Sequence, residues 1–375
     1  MTTIAIPQAD PARSYRAHAG EIDAALTRVL RRGRYVLGEE VESFEREFAA
    51  WIGTRFAVGV GSGTDALAIA LRAAGVGEGD EVVTASHTAT ATIAAIEMAG
   101  AVPVLVDVDW MTMTIGAGEI EAVIGPRTRA VVPVHLYGQP AAMGALCDMA
   151  RSRRLVIVED ACQSHGGETL GRKVGAIGVA GAFSFYPTKN LGAFGDGGAI
   201  TTDDESLAAA ARRLRQYGWD AERSARVAGV NSRLDELQAA ALRVKLPHLS
   251  DALTRRRAIA RRYSQALQGL GIVLPEEAAG TRHAFHLYVV RTEERARLAD
   301  DLARRGVGTA IHYAVAAHQH PAYAARLRHG SLAMTDRVVA QVLSLPLYPE
   351  LDDAEVERVI EAVIASVRSP SAAFC

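Results

Sequence analysis

A chain of 375 residues, 49% hydrophobic and 22% charged, has room for two or three domains and is too apolar to stay disordered. Its 41 basic and 43 acidic residues leave a net charge of −2, so no global basic field points to nucleic acid or an anionic membrane. Three cysteines, Cys147, Cys162 and Cys375, contain no CxxC pair, which excludes a disulfide scaffold and a cysteine-rich zinc site and fits a reducing cytoplasm.

In chain order, the first twenty residues carry Pro7, Asp10, Pro11, Arg13 and Arg16 and show no apolar signal core. Short β-branched runs then alternate with longer Ala/Leu/Arg-rich segments, the pattern of an α/β fold with a mostly parallel central sheet. Strands are predicted at 56–60, 81–84, 102–106, 130–134, 155–159, 181–185 and 198–201, with helices at 63–74, 90–99, 141–153 and 205–217 between them. Runs such as AVVPV and LVIV are apolar on both alternating faces, as expected for strands covered by helices on both sides. The most apolar stretch, 89–108, is broken by Glu97, Pro103 and Asp107 and is no membrane span. Two long helices follow at 235–246 and 249–267, the second with an Arg255–Arg257 run read as a solvated face. A strand at 283–290, a helix at 293–304 and a last helix near 354–367 complete a smaller C-terminal α/β domain over 250–375, after a large domain over 1–249.

Three segments carry chemistry. GVGSGTDA, Gly59 to Ala66, follows a strand and opens a helix, so its amides can cradle a phosphate or simply form a tight turn. Thr64 stands where a dinucleotide fingerprint requires its third glycine, and the chain contains no Gly-Lys pair for a nucleotide P-loop. Asp160 ends the run LVIVED at the carboxyl edge of the sheet, where ligands of parallel sheets sit, although a helix cap fits there equally. Lys189 lies in SFYPTKNLGAFGDGGA between a strand end and a glycine-rich loop, in aromatic surroundings that lower an amine's pKa. It is one of only three lysines, with Lys173 and Lys245, in a chain that otherwise uses arginine. His312, His318 and His320 have no carboxylate nearby in sequence, so no metal site is expected. His135 and Tyr137 close a strand and suit either substrate contact or the core.

Pyridoxal 5′-phosphate needs a phosphate cup, an acid for its ring nitrogen and an amine for its aldehyde. A phosphate loop, an acid about a hundred residues later and a lysine some thirty beyond resembles the chain order of the fold-type I enzymes that use it. From RGRYVLGEEVESFEREFA through GVGSGTDAL, VPVHLYGQPA, VEDACQSHG, SFYPTKNLGAFGDGGA and GVNSRLDELQAA to GVGTAIHY, the chain resembles the DegT/DnrJ-type nucleotide-sugar aminotransferases along nearly its whole length. The resemblance implies a fold-type I, pyridoxal-phosphate-dependent enzyme whose large domain binds the cofactor. It implies that Lys189 condenses with the cofactor's aldehyde and shuttles protons, and that Asp160 pairs with the pyridinium nitrogen. Gln163 is placed near the ring's 3-oxygen, and Gly63, Thr64 and Ser184 in the phosphate cup. Asn231 resembles an asparagine that reaches the phosphate from the neighbouring subunit, which implies a homodimer with shared active sites. Many relatives stack an aromatic residue on the ring where this chain has Ala89, leaving His87 or Thr88 to cover that face.

The implied activity is transamination of a nucleotide-linked keto-sugar in deoxyamino-sugar biosynthesis, with L-glutamate as donor and 2-oxoglutarate as product. His135, Tyr137, His312, Tyr313 and His318 are the candidate substrate contacts. The loop around Lys189 resembles the branch that aminates C3, most simply of a dTDP-linked 3-keto-6-deoxyhexose. Alternatives are a 4-keto nucleotide sugar, a cyclitol ketone or, outside the class, a dinucleotide-dependent oxidoreductase. A non-catalytic regulatory protein on this fold would be expected to lose Lys189 or Asp160.

Overall fold

The computed structural model describes residues 4–368; Cys375 lies outside the described residues. Three helices come first, α1 (Pro11–Ala17), α2 (Ala19–Arg32) and α3 (Glu39–Ile52). Alternation then gives β1 (Phe56–Val60), α4 (Gly63–Ala73), β2 (Glu81–Ala85), α5 (Thr90–Met98), β3 (Val102–Val106), α6 (Ala117–Glu121), β4 (Thr128–Val132), α7 (Met143–Arg153) and β5 (Val156–Asp160). A short hairpin, β6 (Glu168–Thr169) and β7 (Arg172–Lys173), precedes β8 (Ala180–Ser184), β9 (Gly198–Thr202), α8 (Glu205–Leu214), α9 (Glu236–Lys245) and α10 (Leu249–Leu267). The rest comprises β10 (Thr281–Arg282), β11 (Tyr288–Arg291), α11 (Arg295–Arg304), β12 (Arg328–His329), α12 (Ala333–Gln341), β13 (Val342–Leu345) and α13 (Asp353–Arg368).

Eight strands form one sheet in the order β1-β9-β8-β5-β4-β2-β3-β12. All neighbours are parallel except those of β9, which runs antiparallel to both β8 and β1. The fold class read from the alternating pattern is the one found. One face buries Val82, Val132, Val158 and Ile200 under α4 and α8; the other buries Val83, Val131 and Ile157 against α7. Alternate residues of one strand thus enter two different cores, which is why these strands lack a polar face. The strand expected at 130–134 stops at Val132 because Pro133 has no N–H to continue the ladder.

The C-terminal half is less regular than its sequence pattern. The expected strand at 283–290 forms only from Tyr288, because Ala284 and Leu287 donate their amides to Gly138 and Tyr137 instead of a strand partner. A separate core gathers Tyr263, Tyr288, Leu302, Leu343 and Val359, and it takes in Ile6 from the N-terminus, which bridges to Val307. In return β12 leaves that half to pair with β3 at the edge of the large sheet. The expected division near residue 250 is therefore crossed in both directions. The Arg255–Arg257 run is not a solvated face: Arg256 is 5% exposed, and its Nη1 donates to the carbonyls of Phe285, His286 and Leu347.

Candidate active site

The carboxyl ends of β5 and β8 meet the N-terminus of α4 at one cleft, where the sheet topology places ligands. Ser62 caps α4 by accepting the Asp65 amide at 3.1 Å, leaving the first-turn amides of Gly63 and Thr64 without intrahelical partners. A Cβ on Gly63 would lie 2.6 Å from Ser184 Cβ and 2.9 Å from Cys162 Sγ, so only glycine lets this helix end approach the two strand ends. Gly63, Thr64 and Ser184 consequently share one wall with two hydroxyls and free amides.

Asp160 terminates β5 and is 7% exposed. Its Oδ2 accepts the Thr92 hydroxyl at 2.8 Å and its Oδ1 the Cys162 amide at 3.2 Å. A carboxylate only accepts, so Thr92 must donate to it, and the Thr88 hydroxyl, 2.8 Å from Thr92, must donate in turn. Among the described residues Asp160 has no cationic partner within ion-pair distance. Lys189 stands in the same cleft, its backbone turned by a hydrogen bond from its amide to the Tyr186 carbonyl at 2.8 Å. Its amine has no hydrogen-bond or ion-pair partner among the described residues. Lys173, by contrast, lies over the Trp51 ring, and Lys245 donates to the Gly192 carbonyl. Burial lowers the Lys189 pKa, opposed by the attraction of Cys162 and Asp160. Desolvation favours the neutral amine, the nucleophilic form.

Of the ten residues expected at a cofactor, Gly63, Thr64, Thr88, Ala89, Asp160, Gln163, Ser184 and Lys189 line this cleft. His87 does not. It is fully buried, bonds the Tyr137 hydroxyl at 2.7 Å and is held neutral by burial, which pushes its pKa down to about 3. Tyr137 donates its hydroxyl to the His312 carbonyl, so the His87 bond must be donated by Nε2–H. Ala89 remains on the wall with Thr88 beside it, and no aromatic ring from this segment covers the cleft. Asn231 is exposed, bridges to Gln216 and does not line the cleft of its own chain.

The expected substrate contacts separate. His135 is a core residue with both ring nitrogens engaged: Nε2 to Glu159 at 3.0 Å and Nδ1 accepting the Ala141 amide at 3.0 Å. Glu159 also accepts the amides of Gly175, Ile177 and Gly178. Burial pushes its carboxyl up, but those bonds together outweigh it and hold the pKa below the usual value. His318 lies between Ser86 at 2.8 Å and Asp336 at 3.1 Å, a carboxylate that α12 brings from eighteen residues away in sequence. Tyr313 is nearer the chemistry: Gln163 accepts the Tyr137 amide on Oε1 and donates Nε2–H to the Tyr313 hydroxyl at 2.8 Å. His312 borders a second chamber beside Lys189.

Sequence reasoning missed Thr92, which orients Asp160; the Thr88–Thr92 spacing of four residues at the start of α5 was its available signal. It also missed Tyr186, which lines both chambers beside Lys189. Unpaired carboxylate, unpaired amine and a helix terminus with hydroxyls match the ring nitrogen, aldehyde and phosphate of pyridoxal 5′-phosphate, so the residues present fit that cofactor. Among the described residues, no helix is long and apolar enough to cross a membrane.

The profile of the DegT/DnrJ/EryC1/StrS aminotransferase family matches residues 17–364. A dTDP-3-amino-3,4,6-trideoxy-alpha-D-glucose transaminase of Streptomyces venezuelae is 49% identical over 360 residues, covering 96% of this chain and 95% of that protein. The crystal structure of S. venezuelae DesV with a ketimine intermediate superposes with a TM-score of 0.95 at 48% identity, over 98% of this chain and 99% of that one. NtdA from Bacillus subtilis, solved with bound cofactor PMP, gives a TM-score of 0.91 at 32% identity, over 98% of this chain and 86% of that one.

Proposed function

Because the chain belongs to the DegT/DnrJ/EryC1/StrS aminotransferase family, we propose that it transfers an amino group from L-glutamate to C3 of a dTDP-linked 3-keto-6-deoxyhexose, using pyridoxal 5′-phosphate. The observation that carries the reading is the unpartnered Lys189 amine in one cleft with the Asp160 carboxylate, which is hydrogen-bonded but has no cationic partner among the described residues, and the open α4 terminus. When bound, the cofactor supplies an aldehyde for amines and a ring that withdraws electrons from the adjacent carbon.

The chain's own groups do the rest. Asp160, fixed by Thr92 and the Cys162 amide, keeps a ring nitrogen protonated. Lys189 Nζ takes the proton from the donor's α-carbon in one half-reaction and returns one to the sugar carbon in the other, general acid–base work by a single positioned amine. Gly63, Thr64 and Ser184 hold the phosphate. The names of the relatives support C3 over C4. A homodimer accords with the exposed Asn231, and a cytoplasmic setting with the free thiols Cys147 and Cys162. Retention of both Lys189 and Asp160 argues against a purely regulatory protein on this fold.

The test offers purified holoenzyme the 3-keto and 4-keto isomers of the nucleotide sugar with glutamate, and locates the amine-bearing carbon by NMR. The 3-amino product is expected. A clean 4-amino product overturns the regiochemistry, and no amino product from either isomer overturns the activity.

A further inference from the structure

Lys189 and Tyr186 line two chambers rather than one. The first is the cleft of Asp160 and α4; the second lies between the lysine loop, α10, the N-terminal segment and the 347–350 turn. Their charges differ. Apart from Lys189 the first chamber contains no lysine or arginine, although an amino donor with two carboxylates must be held beside this amine. The second contains Lys245 and Arg256, which are 9% and 5% exposed. Neither has a carboxylate within ion-pair distance among the described residues. Lys245 spends one of its three donors on the Gly192 carbonyl. Arg256 spends only Nη1 on carbonyls, leaving Nη2 without a hydrogen bond and Nε buried and unsatisfied.

We propose that the second chamber is the seat of the amino donor's side-chain carboxylate, recognised by Lys245 and Arg256; this rests on the transaminase reading above. Two desolvated cations without a counter-ion in this chain are costly, and a carboxylate supplies the charge-assisted partner that each lacks. Burial pushes the Lys245 ammonium down to about 8 and the Arg256 guanidinium down to about 10, both opposed only by the more distant Glu350. Among the acids on this wall, Asp10 is already engaged by Arg13 at 3.3 Å and Arg16 at 3.5 Å. Glu350 forms no ion pair among the described residues and competes with an incoming anion. His18, His248, His286 and His312 also line the chamber. The chamber adjoins Lys189, so a donor anchored there by its side chain presents its amine toward the first chamber.

The experiment uses the holoenzyme and compares KM for glutamate with KM for the keto-sugar, alongside equilibrium titration with glutarate, which has both carboxylates and no amine. Lys245→Met should raise KM for glutamate and weaken glutarate about tenfold or more, leaving KM for the keto-sugar within about twofold. Glu350→Gln should shift both dicarboxylate constants the opposite way. Arg256→Lys keeps the charge but alters the carbonyl contacts, so it checks that side of the chamber without emptying it, and should weaken glutarate as well. Unchanged glutarate affinity in both cation variants, or equal loss toward glutamate and keto-sugar, overturns the assignment. Wild-type enzyme that binds glutarate through Lys245 yet aminates no sugar sinks the transaminase reading and leaves the chamber standing.

Discussion

Lys189 and Asp160 face one another's cleft unpaired, a costly arrangement that the fold alone does not need. Burial already disfavours the Lys189 ammonium. Lys189→Ala should therefore leave the melting temperature of the cofactor-free protein equal or higher while abolishing amino transfer, read by calorimetry and product assay. Turnover retained in that variant would remove the lysine from the chemistry. Asp160→Asn keeps the shape and the Thr92 bond but cannot hold a ring nitrogen protonated. Its single-turnover rate with glutamate should fall on the order of a thousandfold, several kcal/mol of transition-state stabilisation. A wild-type rate would reduce Asp160 to a structural acceptor for Thr92 and Cys162.

The elements matter through where they end. Helix α4 begins where β5 and β8 stop, and the antiparallel β9 returns the chain so that the lysine loop spans the same edge. That loop is pinned at several points: the Phe185 amide donates to the Gly197 carbonyl and the Ala193 amide to the Phe185 carbonyl, the Phe194 amide donates to Gln238 at 2.8 Å, and Lys245 holds Gly192 from α9. A side chain so supported keeps its geometry better than one on a free loop. The weakest tolerance lies at Gly63. Gly63→Ala drives a methyl into Ser184 and Cys162 and should cost about 1–3 kcal/mol by overpacking, measured by urea unfolding. Cofactor phosphate affinity should fall with it; a neutral substitution would show that α4 can retreat freely from the strand ends.

At the scale of the whole molecule, buried histidines make the fold acid-sensitive. Burial pushes His87, His165 and His283 each down to about 3 from an unfolded value near 6.5. Between those limits the unfolded chain binds protons that the folded one does not, so stability is full above pH 6.5 and falls as pH drops below it. The slope is about 1.4 kcal/mol per pH unit for each histidine. Urea midpoints at pH 7.5 and 5.5 check this, and equal midpoints would contradict it. If Asn231 serves a neighbouring subunit, mixing inactive Lys189→Ala and Asn231→Asp chains should restore about a quarter of wild-type activity, since each mixed dimer keeps one intact site. Failure to recover activity after subunit exchange would deny the shared site. Because both faces of the parallel sheet are apolar and local pattern reports that burial directly, period and composition were enough to foresee seven of the eight strands of the main sheet and the helices α4, α5, α7 and α8, but not β12, α6 or the three N-terminal helices. Motif order likewise pointed to Lys189, Asp160 and Gly63, since each sits at a strand or helix end marked by Pro, Gly or an abrupt change of polarity. Only the tertiary structure decided which way a side chain faces from a position that is apolar all round. It sent His135 to Glu159, turned His87 to Tyr137 and put Arg256 inside a face that reads as solvated. It also made a strand of 288–291 and a docked loop of 283–287, where backbone amides found Gly138 and Tyr137. Those choices depend on partners 24 to 175 residues away, as His135–Glu159 and Tyr137–His312 show, and no local pattern encodes a partner at that distance.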